Sequence, residues 1–310
     1  MLLRRLGHRV TVDAAWDGAA ADVLVALHAR RSHESIARFA RRQPGRPLIV
    51  ALTGTDLYRD IRTDRDAQES MRLATRLIVL QPMGLKELPP PVRRKTRVIH
   101  QSARHAGSQP PLKSCFEVVV SGHLREEKDP FRAAAALAYL PSASRIRITH
   151  LGDAMSPAMA EAARQWMDRE PRYRWLGKLA HWKALRVLAR SRLMVISSRL
   201  EGGANVVSEA LAAGVPVVAS KISGNVGMLG TDYRGYYPPE NEKSLARTLW
   251  RAESDPDYYR LLERQCAARR NLVDPKLEQL GWKKLLTEIT SVSSVTPPPK
   301  WRGQYSPVPE

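Results

Sequence analysis

RLMVISSRLEGGANVVSEALAAGVPVVAS, residues 192–220, is the stretch that decides the fold of this chain. An apolar run from Leu193 to Ile196 predicts a strand, the small residues after the glycine pair predict a helix, and a second apolar run predicts another strand. Gly214 stands where a helix C-cap belongs, and Pro216 follows just beyond it. The pattern therefore predicts one parallel strand–helix–strand unit.

The same stretch carries two carboxylates, Glu201 in the loop after the first strand and Glu209 about one turn into the helix. Ligands of open α/β sheets bind beyond the carboxyl ends of the strands. The N–H groups of Gly203, Ala204 and Asn205 would open the helix there and could hold a phosphate, while an ionised carboxylate accepts sugar hydroxyls. The pattern favours a nucleotide-sugar site. The alternative is an ordinary buried strand–helix–strand unit with glycines at its turns.

The whole stretch is similar to the E-x7-E segment of retaining GT-B glycosyltransferases, the family that includes sucrose and glycogen-type synthases. The similarity covers both glutamates, the pair Gly202–Gly203 and the following SEALAAGVPVVAS. It implies that Glu209 holds ribose hydroxyls. It also implies that Glu201 and the amides of Gly202, Gly203, Ala204 and Asn205 hold the sugar.

The length and the cysteine content place the chain in a broad class. At 310 residues it is long enough for about two domains of roughly 150 residues. The sequence has no apolar run of about 18 residues that would predict a membrane span, and its start, MLLRRLGHRVTV, lacks the apolar core of a signal peptide. The two cysteines, Cys115 and Cys266, are far apart, which favours a reducing compartment. We therefore expect a cytoplasmic protein.

The chain is strongly basic, with a net charge of +19 and a pI near 10.4. Such a charge can indicate nucleic-acid binding. However, the basic residues are spread along the chain, and aromatic residues are not interleaved with them to form a stacking surface. We expect solvated helix faces and a site for phosphorylated ligands, with nucleic-acid binding as the alternative.

Apolar runs alternate with amphipathic stretches, which predicts parallel α/β architecture. Two Rossmann-like domains facing a cleft are the expected result, and the family resemblance given above implies that this α/β fold is of the GT-B type. The predicted strands cover residues 8–12, 22–27, 47–52, 76–80 and 96–100, then 116–121, 145–152, 173–177, 193–197 and 215–220. The predicted divisions are an N-terminal acceptor domain (1–105), a linker (106–115), a nucleotide-sugar-binding domain (116–274), a last helix (275–290) and a disordered tail (291–310). The family resemblance implies that the last helix crosses back to the first domain.

The start of the chain departs from this architecture. LLRRLGHRVTV is typical of the end of a helix, a glycine cap and then a strand. In this fold that helix should follow a first strand with a glycine-rich loop, so the N-terminal domain lacks its first strand in this sequence. We expect a native start about 20–25 residues upstream; a shortened, impaired form is the alternative.

The segment Ser121–Asp129, SGHLREEKD, follows the first strand of the second domain. It resembles the family's Gly-x-Leu-x-x-x-Lys loop, whose basic pair holds a diphosphate. The resemblance implies donor-side roles for Gly122 and Lys128; His123 takes the usual arginine position, and Arg125 offers a nearby guanidinium. The alternative is an exposed turn whose charges pair among themselves. Further on, Leu179 stands where family members use backbone atoms to contact the base, although a plain strand-to-helix turn is also possible.

In the first domain, polar residues follow several apolar runs and so belong at the cleft. Arginines that open a helix form a cationic site for a small anion, although each lone histidine is also compatible with a structural role. The predicted acceptor-binding residues are His28, Arg30, Arg31, Thr53, Thr55 and Asp56. No Cys/His cluster suggests a metal, and no cofactor is expected.

The segments HARRS, ALTGTDLYRD, IVLQP and GHLREEKDP together resemble a narrower family, the selenosugar synthases of selenoneine biosynthesis, over roughly residues 1–285. This resemblance implies transfer of a sugar from UDP-N-acetylglucosamine or UDP-glucose to selenophosphate. Lys128, Arg125 and Glu201 would be the catalytic residues. An ordinary GT-B glycosyltransferase with a hydroxyl acceptor is the alternative, and an inactive truncation or a nucleic-acid-binding protein is a third interpretation.

Overall fold

The computed structural model describes residues 2–104, 107 and 109–292. Its first domain is built on a parallel sheet of four strands in the order of the chain. These strands are β1 (Leu24–Leu27), β2 (Leu48–Ala51), β3 (Arg76–Val79) and β4 (Thr96–Val98). The helices of this domain are α1 (Leu2–Arg5), α2 (His33–Arg42), α3 (Ile61–Thr63), α4 (Arg65–Leu73) and α5 (Pro90–Arg94).

The second domain contains a parallel sheet of six strands. The strands are β5 (Phe116–Ser121), β6 (Ile146–Leu151), β7 (Tyr173–Trp175), β8 (Leu193–Ile196), β9 (Val217–Ser220) and β10 (Tyr236–Tyr237). Their spatial order, β7-β6-β5-β8-β9-β10, is that of a Rossmann fold, and the direction of winding reverses between β5 and β8. The loops after β5 and β8 therefore border the crevice where such folds bind ligands.

The helices of the second domain alternate with its strands along most of the chain. They are α6 (Arg132–Ala136), α7 (Pro157–Arg169), α8 (His181–Arg190), α9 (Asn205–Ala213), α10 (Ser223–Leu229), α11 (Glu242–Ser254) and α12 (Pro256–Ala267). Gly214 ends α9 in the left-handed conformation at φ 75°, as its position predicts. The Asp255 side chain accepts hydrogen bonds from the backbone at the start of α12, where Pro256 is the first residue.

The last helix, α13 (Pro275–Val292), packs on the first sheet. Leu285 and Ile289 are buried against Ile49 of β2 and Ile78 of β3. At the amino ends of the strands, Arg76 and Arg97 make ion pairs with Glu288 of the same helix. The two domains are thereby joined both along the chain and through this helix.

Three details differ from the sequence-based expectations. The strand expected at residues 8–12 is absent, because these residues pair with no strand that the structure describes and a strand requires a hydrogen-bonded neighbour. The two-residue strand β10 was not predicted. The last helix continues to Val292, and the predicted tail from 293 onward, like residues 105, 106 and 108 at the linker, lies outside the described residues. The expectation of a missing first strand stays a prediction.

Within the described part of the chain, no helix combines the length and the apolar character needed to cross a membrane.

Candidate active site

The loop between β8 and α9 contains Glu201, a buried carboxylate that is 7% exposed. Its carboxylate oxygen Oε1 accepts hydrogen bonds from Lys128 Nζ and, at 2.6 Å, from Ser198 Oγ. Lys128 belongs to the loop after β5, so the pair joins the two loops at the winding reversal. Ser197 strengthens this junction, because its hydroxyl shares its one proton between the carbonyl oxygens of Lys128 and Asp129, which lie 3.0 and 2.8 Å from Oγ.

The pairing of Lys128 with Glu201 decides one alternative left by the sequence. If the charges of the SGHLREEKD turn paired only among themselves, Lys128 would be bound within the turn. Its partner is instead a carboxylate 73 residues along the chain. Arg125 lies at the start of the short turn 126–128 and is exposed. The loop therefore presents one cation held against Glu201 and one that is open to solvent.

Glu209 is the fifth residue of α9 and is almost completely buried. Its Oε1 accepts a hydrogen bond from Asn205 Nδ2 at 2.8 Å and contacts His181 Nε2 at 2.8 Å. His181 is the first residue of α8 and was not predicted as a site residue. The one signal for His181 in the sequence is weak: it lies two residues after the predicted site residue Leu179. The Leu179 side chain itself packs against the core of the second domain.

The start of α9 leaves backbone donors available. The structure shows no hydrogen bond from the N–H groups of Gly203, Ala204 and Asn205 to any residue that it describes. Such unpaired N–H groups are normal at a helix start, and they carry the positive end of the helix dipole. This geometry is compatible with the predicted anion-binding role, which stays a prediction.

The loop that contains Gly122 and His123 rests on the buried residue His150 of β6. His150 Nε2 lies 3.3 Å from the Gly122 carbonyl oxygen, and its Nδ1 lies 2.9 Å from the Tyr173 hydroxyl. Burial lowers the pKa of His150 to about 4, although the hydrogen bond to Gly122 acts in the opposite direction. The ring is therefore neutral near pH 7, so its Nε2–H donates to Gly122 and its Nδ1 accepts from Tyr173. His123 itself is exposed, and its Nδ1 accepts from the Asp153 N–H at 3.1 Å.

In the first domain, His28 follows β1 in the left-handed conformation at φ 73°, which a non-glycine residue rarely adopts. Its Nδ1 accepts from the Arg31 N–H at 3.3 Å, and its Nε2 lies 2.9 Å from Thr55 Oγ1. Burial lowers the pKa of His28; Arg31 acts in the same direction, and Asp56 opposes it. The neutral ring, with its proton on Nε2, fits both contacts.

Asp56 requires a correction. It was predicted to bind the acceptor, but its side chain is completely buried. One carboxylate oxygen accepts from the N–H and the hydroxyl of Thr53, at 2.8 and 2.9 Å, and the other accepts from the Ala29 N–H at 2.9 Å. These bonds hold the loops after β1 and β2 together. Asp56 therefore positions the loops after β1 and β2, and its side chain is not accessible to a ligand.

The predicted arginines lie at the rim of this cluster. Arg30 Nε is 3.1 Å from Asp60 Oδ2, in contact but not aligned as a hydrogen bond, and Arg59 Nε donates to the other oxygen of Asp60 at 3.1 Å. Arg31 is exposed. Asp60 was not predicted, because it lies within the irregular helical turn at Asp56–Asp60 and not at a strand end. The cluster retains a net positive charge, since three arginines surround two carboxylates.

The two halves of the site meet directly. A Cβ placed on Gly202 would lie 2.1 Å from the Thr53 carbonyl oxygen, and one placed on Gly54 would lie 3.4 Å from the Gly202 nitrogen. Two other glycines of the second domain also leave no room for a Cβ. A Cβ on Gly203 would lie 2.5 Å from the Leu80 side chain, and a Cβ on Gly227 would lie 1.7 Å from the Gln81 side chain. Gly202, Gly203 and Gly227 thus allow the first domain to lie close to the Glu201 loop and to α10.

Among the described residues, no group of three or more histidine, cysteine, aspartate or glutamate side chains is placed to hold a metal ion.

Comparison with known proteins agrees with this arrangement. The family described as "Glycosyl transferases group 1" matches residues 108–269, just over half of the chain. No curated protein matches the sequence. The chain is similar in fold to HepE of Anabaena, solved in complex with UDP and glucose, with a TM-score of 0.70 and 18% identity over 87% of this chain and 77% of the other.

Two further solved structures share the fold. The sucrose-phosphate synthase of Thermosynechococcus elongatus has a TM-score of 0.71 and 18% identity over 87% of this chain and 74% of its own. An α,α-trehalose-phosphate synthase (UDP-forming) of Burkholderia vietnamiensis has a TM-score of 0.73 and 12% identity over 88% and 74%. The predicted α/β GT-B fold with two Rossmann-like domains is confirmed.

Proposed function

The chain belongs to the group 1 glycosyl transferases, and from this premise we propose that it transfers a sugar from UDP-N-acetylglucosamine or UDP-glucose to selenophosphate. The observation that carries the proposal is the contact between the Thr53–Gly54 turn and the Glu201–Gly202 loop. This contact puts a cationic cluster beside the family's sugar-binding segment. The fold neighbour solved with UDP and glucose supports a UDP-sugar as the donor.

On the donor side, the proposed roles follow from the contacts of the two glutamates. Glu209 accepts ribose hydroxyls, and Glu201 with the Gly202–Asn205 amides holds the sugar. Lys128 and Arg125 stabilise the negative charge that develops on UDP as the bond between the anomeric carbon and oxygen breaks. Lys128 is suited to this role because Glu201 and Ser197 hold its side chain and its backbone in place.

On the acceptor side, Arg30, Arg31 and Thr55 orient the oxyanion of selenophosphate. Its selenium attacks the anomeric carbon, a carbon–selenium bond forms, and UDP leaves with the electron pair of the broken carbon–oxygen bond. Water then cleaves the phosphorus–selenium bond, which releases inorganic phosphate and a 1-seleno sugar. An ionised selenium nucleophile requires no general base, and the close approach of the two domains limits the access of competing water.

A hydroxyl acceptor is the second candidate, and the state of His28 favours it. The neutral His28 ring donates its Nε2–H to Thr55 Oγ1, which leaves the proton of the Thr55 hydroxyl available to a hydroxyl acceptor. Thr55, which contacts the His28 ring at 2.9 Å, would then help to place the alcohol.

The test is incubation of the chain with each UDP-sugar, with and without selenophosphate, followed by measurement of UDP release and of selenium-containing product by mass spectrometry. The proposal requires release of UDP that depends on selenophosphate and a product that contains selenium. UDP release with an alcohol, and none with selenophosphate, would establish the second candidate in its place.

A matched pair of variants tests the acceptor site. Arg31→Gln should raise the KM for selenophosphate without changing UDP affinity, because it removes a cation only from the acceptor side. Arg41→Gln, which removes an exposed arginine from the far end of α2, is the control and should leave both unchanged.

A further inference from the structure

The carboxylate of Glu209 uses its two oxygens differently. His181 Nε2 and Asn205 Nδ2 both contact Oε1, each at 2.8 Å. Because a carboxylate can only accept, the histidine must carry its proton on Nε2 in this contact. In the part of the chain that the structure describes, no hydrogen bond reaches Oε2 of Glu209.

The two donors come from different elements. Asn205 is one turn before Glu209 in α9, whereas His181 begins the neighbouring helix α8. The terminal torsion of a glutamate side chain has a broad energy minimum, so that one hydrogen bond does not fix the plane of its carboxylate. A second donor from another helix limits the rotation of the carboxylate and thereby fixes the position of Oε2.

We propose that His181 is a positioning residue of the nucleotide subsite, which acts with Asn205 to hold Glu209 so that Oε2 accepts the vicinal hydroxyls of a ribose. This role rests on the proposed UDP-sugar donor. One carboxylate oxygen can accept two hydroxyl donors, and a 2′-deoxyribose offers only one of them. The His181–Glu209 contact therefore contributes to the preference for a ribonucleotide.

The exposure of His181 separates this role from a structural one. The His181 side chain is 73% exposed, whereas that of Glu209 is about 10% exposed. Pairs with an exposed partner contribute little to folding stability, so removal of His181 should leave the fold intact. The effect should be confined to ligands that contact Oε2.

The experiment measures the Kd of UDP and of 2′-deoxy-UDP by calorimetry for the parent protein, His181→Ala and His181→Gln. His181→Ala should weaken UDP binding by about 2-fold to 10-fold, the range of one net hydrogen bond, and should change 2′-deoxy-UDP binding much less. His181→Gln retains an amide donor and should recover most of the preference. Arg186→Ala, at an exposed position of the same helix, is the matched control and should match the parent.

Equal weakening of both nucleotides by His181→Ala, or no weakening of either, would overturn the positioning role while leaving the UDP-sugar donor intact. A parent protein that binds neither nucleotide would refute the donor assignment and this role with it. Thermal unfolding of each variant confirms that the differences in affinity arise at the site.

Discussion

Replacing Lys128 with methionine should both destabilise the folded chain and slow sugar transfer, because this lysine is the charged partner of Glu201. Removing one member of a fully buried ion pair costs about 3–5 kcal/mol. The Lys128 side chain is 22% exposed, and Ser198 keeps its hydrogen bond to the remaining carboxylate. We therefore expect a smaller loss, about 2–3 kcal/mol of the free energy of unfolding, in the range of one charge-assisted hydrogen bond.

The effect on the reaction should be larger than the effect on stability. Loss of one preorganised donor from the developing negative charge reduces turnover by about 100-fold to 1000-fold in other enzymes. The expected result is a kcat reduced to a similar extent, measured as UDP release at saturating substrates. Urea unfolding followed by circular dichroism gives the stability.

A double variant separates the two effects. Lys128→Met with Glu201→Gln removes both charges, so it should recover at least half of the lost stability and none of the activity. Lys113→Met, which removes an exposed lysine of the linker, should behave like the parent protein in both assays. Full activity in Lys128→Met would refute the diphosphate role, and a double variant no more stable than the single one would refute the argument from an unpaired Glu201.

Two further predictions concern stability. The folded-state pKa of His150 lies near 4, below its ordinary value of 6.5, so the unfolded chain binds the proton first and stability is lost as the pH falls through this window. This protonation should lower the free energy of unfolding by about 2 kcal/mol between pH 7.5 and pH 5. Urea unfolding at both pH values should show a smaller change in the free energy of unfolding for His150→Leu than for the parent protein. An equal change in both proteins would contradict a neutral buried ring. Gly227→Ala should destabilise the chain, because its Cβ would collide with the buried Gln81. Gly281 lies inside α13, and a Cβ on it would make ordinary contacts with Ile99 at 3.5 Å. Gly281→Ala should therefore be neutral or stabilise the chain by up to about 1 kcal/mol. The same midpoint of thermal unfolding for both alanine variants would contradict the tight contact between the domains.

Much of the second domain could be predicted because its signals are local. The apolar runs of β5, β8 and β9 are each fully or nearly fully buried, as continuous apolar strands of parallel sheets are. Caps such as Gly214 and Asp255 act within a few residues of the helix that they end or begin. The wrong prediction of a strand at 8–12 shows the limit of such local signals. A strand pattern in the sequence forms a strand only where a neighbouring strand is present to pair with it.

The site divides in the same way. Glu201, Glu209 and Lys128 were predicted because they match spaced motifs within one segment each. Asp56 was assigned to the acceptor because polar residues at strand ends commonly face ligands, yet its oxygens are occupied by the backbone of its own loops. His181 and Asp60 were missed, because no motif links them to their partners.

The sequence by itself determined the alternation of strands and helices, the placement of the glycine pair after β8 and the spacing of the two glutamates. These depend on periodicity and on turn chemistry over a few residues. Only the tertiary structure decided which atoms meet: Lys128 with Glu201, His181 with Glu209, and the Thr53–Gly54 turn with Gly202. The partners lie 28 to about 150 residues apart, and such contacts depend on the order of the strands and on how closely the glycines allow the two domains to approach.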